Sequence, residues 1–171
     1  MSLDVHIDEL AELERVALEE AISGIRREAE VAALVEHRTA TLHALLAHHD
    51  ARYLPLATSE LEDALDELRS AGERRSGLVA GLVPVLGLSL QPTIGDVAAA
   101  APEPYATTIA ELRRQLLLAK ARIERLSAQN TNLLGQRMAL VAETLAGGVT
   151  EAAPTYGRTP PSRPRFVRGI L

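Results

Sequence analysis

The chain has 171 residues, enough for one domain with its own core. It contains no Cys, three Tyr, one Phe and no Trp. Disulfides, thiolate metal sites and thiol nucleophiles are therefore excluded, and any core must be built of Leu, Ala and Val, which suits helices packed closely in a bundle. The net charge of −5 is uneven: residues 1–70 hold 16 acids and 6 bases, residues 71–147 hold 6 and 8, and residues 148–171 hold one acid and four Arg. An acidic first half with a mildly basic end predicts protein–protein steering and no nucleic-acid partner.

The N-terminus, MSLDVHIDELAELE, is acidic and lacks the basic-then-apolar order of a secretory signal. Asp4 or Asp8 is a candidate cap for a first helix over about 6–50. Its apolar positions include Leu10, Leu13, Val16, Leu18, Ile22, Ile25, Ala32, Val35, Leu42 and Leu46, a helical spacing. Tyr53-Leu54-Pro55 predicts the break, because the residue before a proline avoids helical geometry. Ser59 with Glu62 has capping-box spacing and predicts a second helix over about 58–84, with Leu61, Ala64, Leu65, Leu68, Ala71, Leu78 and Leu82 on its stripe. The uncharged stretch Gly77 to Leu90 is too short to span a bilayer and is interrupted by Pro84 and glycines, so no membrane insertion is expected. Pro92, Thr93 and Asp96 suit the start of a short helix over 93–100.

The last helix is predicted over about 103–147, between prolines and a glycine pair. At 1.5 Å per residue it would span roughly 65 Å. Ile109, Leu112, Leu116, Ala119, Ile123 and Leu126 alternate three- and four-residue steps, and Asn130 follows on the same seam. Beyond it the stripe is read through Leu134, Met138, Val141 and Leu145, with four-residue steps that resemble a stutter. Asn130 either fixes coiled-coil register or marks where the helix outruns its own bundle; in the second case Leu133, Leu134, Met138, Val141 and Leu145 form an apolar stripe for a partner helix. Residues 147–171 hold four prolines and four glycines and are expected to be a flexible tail with isolated apolar residues such as Tyr156 and Phe166. The fold expected is all-α: residues 1–147 as an elongated antiparallel bundle or coiled coil of three long helices, then the tail over 148–171.

Chemistry-bearing constellations are sparse. His37, His43, His48 and His49 include no pair at four-residue spacing, and Glu-x-x-His does not occur, so no metal site is expected. There is no phosphate loop, nucleophile elbow or His-Glu-x-x-His, and no enzyme and no cofactor are expected.

Three blocks carry a family resemblance. SELEDALDELRSAGERRSGLVAGLVPVLGL resembles the second helix and following turn of FlgN-type flagellar export chaperones. TIGDVAAAAPEPYATTIAELRRQLLLAKARIERLSAQNTNLL resembles that family's linker and last helix, including Pro-Glu-Pro followed by an aromatic. Asn130-Thr131-Asn132-Leu133-Leu134 with Thr155-Tyr156-Gly157 resembles its Asn-rich helix end and Tyr-Gly tail. The blocks cover about residues 59–157. The resemblance implies a cytoplasmic chaperone that binds the helical terminus of flagellar hook-associated (hook–filament junction) proteins and delivers them to the flagellar type III export gate. It implies client contact through Asn130, Leu133, Leu134, Met138, Val141 and Leu145, and export-gate docking through Tyr156. The alternative is a structural coiled-coil protein that forms a homodimer through its last helix.

Overall fold

In the computed structural model, residues 2–48 and 50–150 are described, with side chains over 12–48 and 50–146. Among the described residues all regular structure is helical: α1 (Ser2–Ala47), a 3₁₀ turn (Ala51–Tyr53), α2 (Leu54–Gly81), α3 (Val83–Leu86), α4 (Ile94–Ala100) and α5 (Tyr105–Thr150). Three helices are long, as the periodicity predicts, and three short elements join them. The chain divides after Gly135. Met1–Gly135 holds α1 to α4 and most of α5, and Gln136–Leu171 holds, among the described residues, the last turns of α5.

The buried side of α1 is a heptad ladder. Leu18, Ala21, Ile25, Ala32, Val35, Thr39 and Leu46 are all buried, and their spacing keeps them on one side of the helix. Leu13 and Val16 fall outside this ladder and are exposed, although their spacing also fits a helical stripe. Ladder partners fix direction. Glu28 pairs with Arg75, Arg27 with Glu67 and Arg38 with Glu60, so α2 descends as α1 rises. Glu36 pairs with Arg122 and His43 with Asn130, so this part of α5 rises with α1. The three long helices thus run up, down and up.

α2 meets α1 through small residues. Ala57, Ala64 and Ala71 recur every seven positions and are buried. The approach is tightest at Gly24, where an added Cβ would sit 2.5 Å from Leu78 Cδ1. Glycine in mid-helix costs about 1 kcal/mol of propensity, and here that cost is what admits the leucine.

The connections correct two predicted helix starts. Asp4 and Asp8 both lie inside α1, so neither caps it. Ser59 lies inside α2, which begins at Leu54 with Pro55 in its first turn. That position lacks an intrahelical N–H partner anyway, so proline opens the helix as well as ending the one before. The Asp50 side chain accepts from Arg52 N–H and sets the intervening 3₁₀ turn. After α2, Gly87 at φ 62° closes α3 in the left-handed conformation that glycine adopts without strain. Thr93 and Asp96 do form a capping box on α4: Thr93 Oγ1 accepts from Asp96 N–H, and Asp96 Oδ2 accepts from Thr93 N–H at 2.8 Å. The cap aims Val97 into a cluster with Leu18, Ile22 and Ile25 of α1, Leu82 following α2, and Ile109 and Leu112 of α5. This short helix therefore locks the start of α5 against α1 and α2.

Candidate functional site

The distal part of α5 begins with a polar layer. Asn130 occupies the seam position four residues after Leu126 and is only 5% exposed. Its Nδ2 donates to the Thr39 carbonyl at 3.3 Å. That bond turns Oδ1 toward His43, whose Nδ1–H donates to it at 2.9 Å. Thr39 in turn donates from Oγ1 to the Val35 carbonyl at 2.7 Å. No described buried side-chain polar atom is left unpaired. A buried amide satisfied from the neighbouring helix fixes register, because a shift of one residue would strand its donors in an apolar seam. Asn130 therefore belongs to the α1–α5 seam, where its amide has a partner at each end. Thr39 and His43 were missed as its partners. The available signal was Thr39 standing seven residues from both Ala32 and Leu46 in an otherwise apolar ladder.

Past Asn130 the burial pattern takes a three-residue step. Leu133 is half-buried, which keeps the 3-4 alternation of Ile109 to Asn130. The four-residue step to Leu134 predicted as a stutter is not followed by burial: Leu134 is 46% exposed. Consecutive helical residues are about 100° apart, so Leu134 stands on a different face from Leu133.

Within the second unit, Met138 is 74% exposed, Val141 58% and Leu145 66%, and Leu140 beside them is 63% exposed. Met138, Val141 and Leu145 follow 3-4 spacing and so share one side of the helix. Between 136 and 146 the charged residues are Arg137 and Glu143 alone. Together these side chains give the last turns of α5 an exposed apolar side with little charge around it. Of the tail predicted over 148–171, residues 148–150 continue α5, so the glycine pair does not end the helix, and Tyr156 with the rest from 151 onward lies outside the described residues.

No family model, curated protein or solved structure matches this chain. Among the described residues no group of three or more His, Cys, Asp or Glu is placed to hold a metal ion, and no helix is long and apolar enough to cross a membrane. The carboxyl groups displaced from their ordinary range are displaced downward by local partners. Hydrogen bonds from Arg114 and Gln115 draw Glu111 down to about 2. A hydrogen bond from Arg15 lowers Glu12, and the Thr93 backbone N–H lowers Asp96. Each is a carboxylate held ionised on the surface, not a carboxylic acid kept protonated for proton transfer.

Proposed function

We propose that the chain is a FlgN-type export chaperone, acting in the cytoplasm, that receives the helical terminus of a hook–filament junction protein on the last turns of α5 and hands it to the flagellar type III export gate. The observation that carries this reading is the exposure of Met138, Val141 and Leu145 on one side of a sparsely charged helix. The block resemblances over residues 59–157 support it. Leu133 and Leu134 extend the proposed contact toward Asn130, Leu134 with its exposed side chain and Leu133 with the half it leaves uncovered. A secreted terminus that is disordered alone gains an amphipathic helix when an apolar partner covers its face. Covering that face also keeps the subunit from assembling before export. Binding free energy performs this task, and neither nucleotide nor metal enters it. Tyr156 is the proposed contact with the export gate.

Size-exclusion chromatography with light scattering tests the reading. The chain mixed with a junction protein's terminal segment should elute as a one-to-one complex, and Val141→Asp should abolish that complex while leaving helicity unchanged. A wild-type chain that stays uncomplexed in this mixture contradicts the reading. Tyr156→Ala should preserve the complex and lower secretion of the junction protein; unchanged secretion removes Tyr156 from the mechanism. The second reading, a coiled coil that self-associates through α5, is favoured by the same 3-4 spacing of Met138, Val141 and Leu145. A tight homodimer that ignores the junction segment would select it.

A further inference from the structure

The seam of the first unit contains a layer of small side chains. Four residues on from the Glu28–Arg75 pair, Ala32 of α1 stands level with Ala71 of α2. Stepping back from Glu36–Arg122 brings the same Ala32 level with Ala119 of α5. All three alanines are buried. A cavity of about 360 Å³ opens beside Ala32, walled also by Leu68, Ile94, Leu116, Leu117 and Ile123, with Glu28, Lys120 and Glu124 at its edge. That volume falls within the range of small-molecule pockets, which run from about 300 Å³ upward. The charged groups at its edge already have partners: Glu28 with Arg75 at 2.7 Å, and Lys120 with Glu124 at 3.8 Å.

A second cavity of about 400 Å³ shares Ile94, Leu116 and Leu117 as walls and is lined on its far side by Arg75 and Arg113. The Arg75 guanidinium hydrogen-bonds to Glu28 through Nε, and among the described residues its Nη groups make no hydrogen bond. Arg113 forms no ion pair among the described residues. It lies against the start of α4, where a Cβ on Gly95 would meet its Nε at 3.3 Å. The adjacent Asp96 carboxylate is engaged by Thr93 through both N–H and Oγ1 at 2.8 Å. Two guanidinium groups with spare N–H donors thus face a cavity that continues into an apolar one. Guanidinium groups match carboxylate geometry, and the apolar cavity offers nothing polar to hydrogen-bond.

We propose that the two cavities form one site for an amphipathic anion, a medium-chain carboxylate. Its alkyl tail fills the cavity beside Ala32, and its carboxylate sits between Arg113 and the free Nη groups of Arg75. This site is separate from the distal α5 surface and stands whether or not the chaperone reading does.

Isothermal titration calorimetry of the full chain with octanoate, with 1-octanol as the neutral probe of equal chain length, tests it. Octanoate should saturate one site and bind at least about tenfold more tightly than octanol, the contribution of charge-assisted hydrogen bonds. Arg113→Gln should weaken octanoate by about tenfold and leave octanol unchanged. Ala32→Met should fill the cavity and abolish binding of both. Methyl NMR of the wild-type chain provides a readout independent of variant folding: octanoate should shift Ile94 and Ile123 and leave Ile22 unmoved. Absence of saturable binding, equal affinity for the two probes, an inert Arg113→Gln, or methyl shifts confined to other residues would each overturn the proposal.

Discussion

Two stretches of α5 share an apolar 3-4 spacing and differ in charge and in surroundings. From Ile109 to Leu126 every third or fourth residue is buried or half-buried, and α1, α2 and α4 supply the cover. From Met138 to Leu145 the apolar spacing persists, yet each of those side chains is more than half exposed. Periodicity therefore records which side of a helix is apolar and not what covers it. In the first stretch the cover is the chain itself. In the second, on the reading proposed above, it is another protein.

The sharpest contrast between the stretches is energetic. Ile109→Ala should cost about 2–5 kcal/mol, because the side chain is fully buried and its neighbours cannot collapse around the gap. Val141→Ala should change stability by less than about 0.5 kcal/mol. Urea unfolding of both variants checks this; equal losses would mean that the distal turns are packed after all. Next in size is the α1–α2 contact. Gly24→Val forces Leu78 from its place and should cost about 1–3 kcal/mol, a result opposite to the gain expected when a valine replaces glycine on an uncovered helix face. Asn130→Ala should cost a similar amount, about 1–3 kcal/mol, by stranding the His43 and Thr39 groups it satisfies. Thr93→Ala removes the cap that aims Val97 into the core and should cost about 1 kcal/mol.

The smallest effect is that of acid. Glu111, Glu12 and Asp96 have folded-state pKa values below their ordinary 4.5, 4.5 and 3.8. Their contribution is complete above those ordinary values and is lost as pH falls through the folded ones, for Glu111 toward about 2. The groups are surface-exposed, so the thermal midpoint should fall only modestly between pH 5 and pH 2.5 on their account, and less in high salt. A midpoint that rises over this interval would contradict the assignment.

Much of this architecture is legible in the residues. Leu and Ala at 3-4 spacing announce the long helices, and the Thr93–Asp96 pair announces α4 because both halves of a capping box are local. What failed to show was always a choice that the partner helix makes. Pro55 reads as a terminator, since the sequence does not say that the 3₁₀ turn beforehand delivers it to the first turn of α2. Leu133 and Leu134 are adjacent leucines, and either continues a helical stripe from Leu126. The side on which α1 lies selects Leu133 for the seam and leaves Leu134 outside. On spacing alone Asn130 suits a client contact and a register lock equally, and its bonds to Thr39 and His43 come from the facing helix, which the local sequence does not name. The cavity beside Ala32 is not legible for the same reason, because its walls come from four separate helices.

The most direct test of the central claim is methyl NMR of the chain titrated with the terminal segment of a hook–filament junction protein. The account predicts saturable shifts at Met138, Val141 and Leu145, while Leu18 and Ile109 in the buried cluster stay unmoved. Shifts centred on α1 and α2 with the distal α5 methyls unchanged, or no shifts at any concentration, would contradict it.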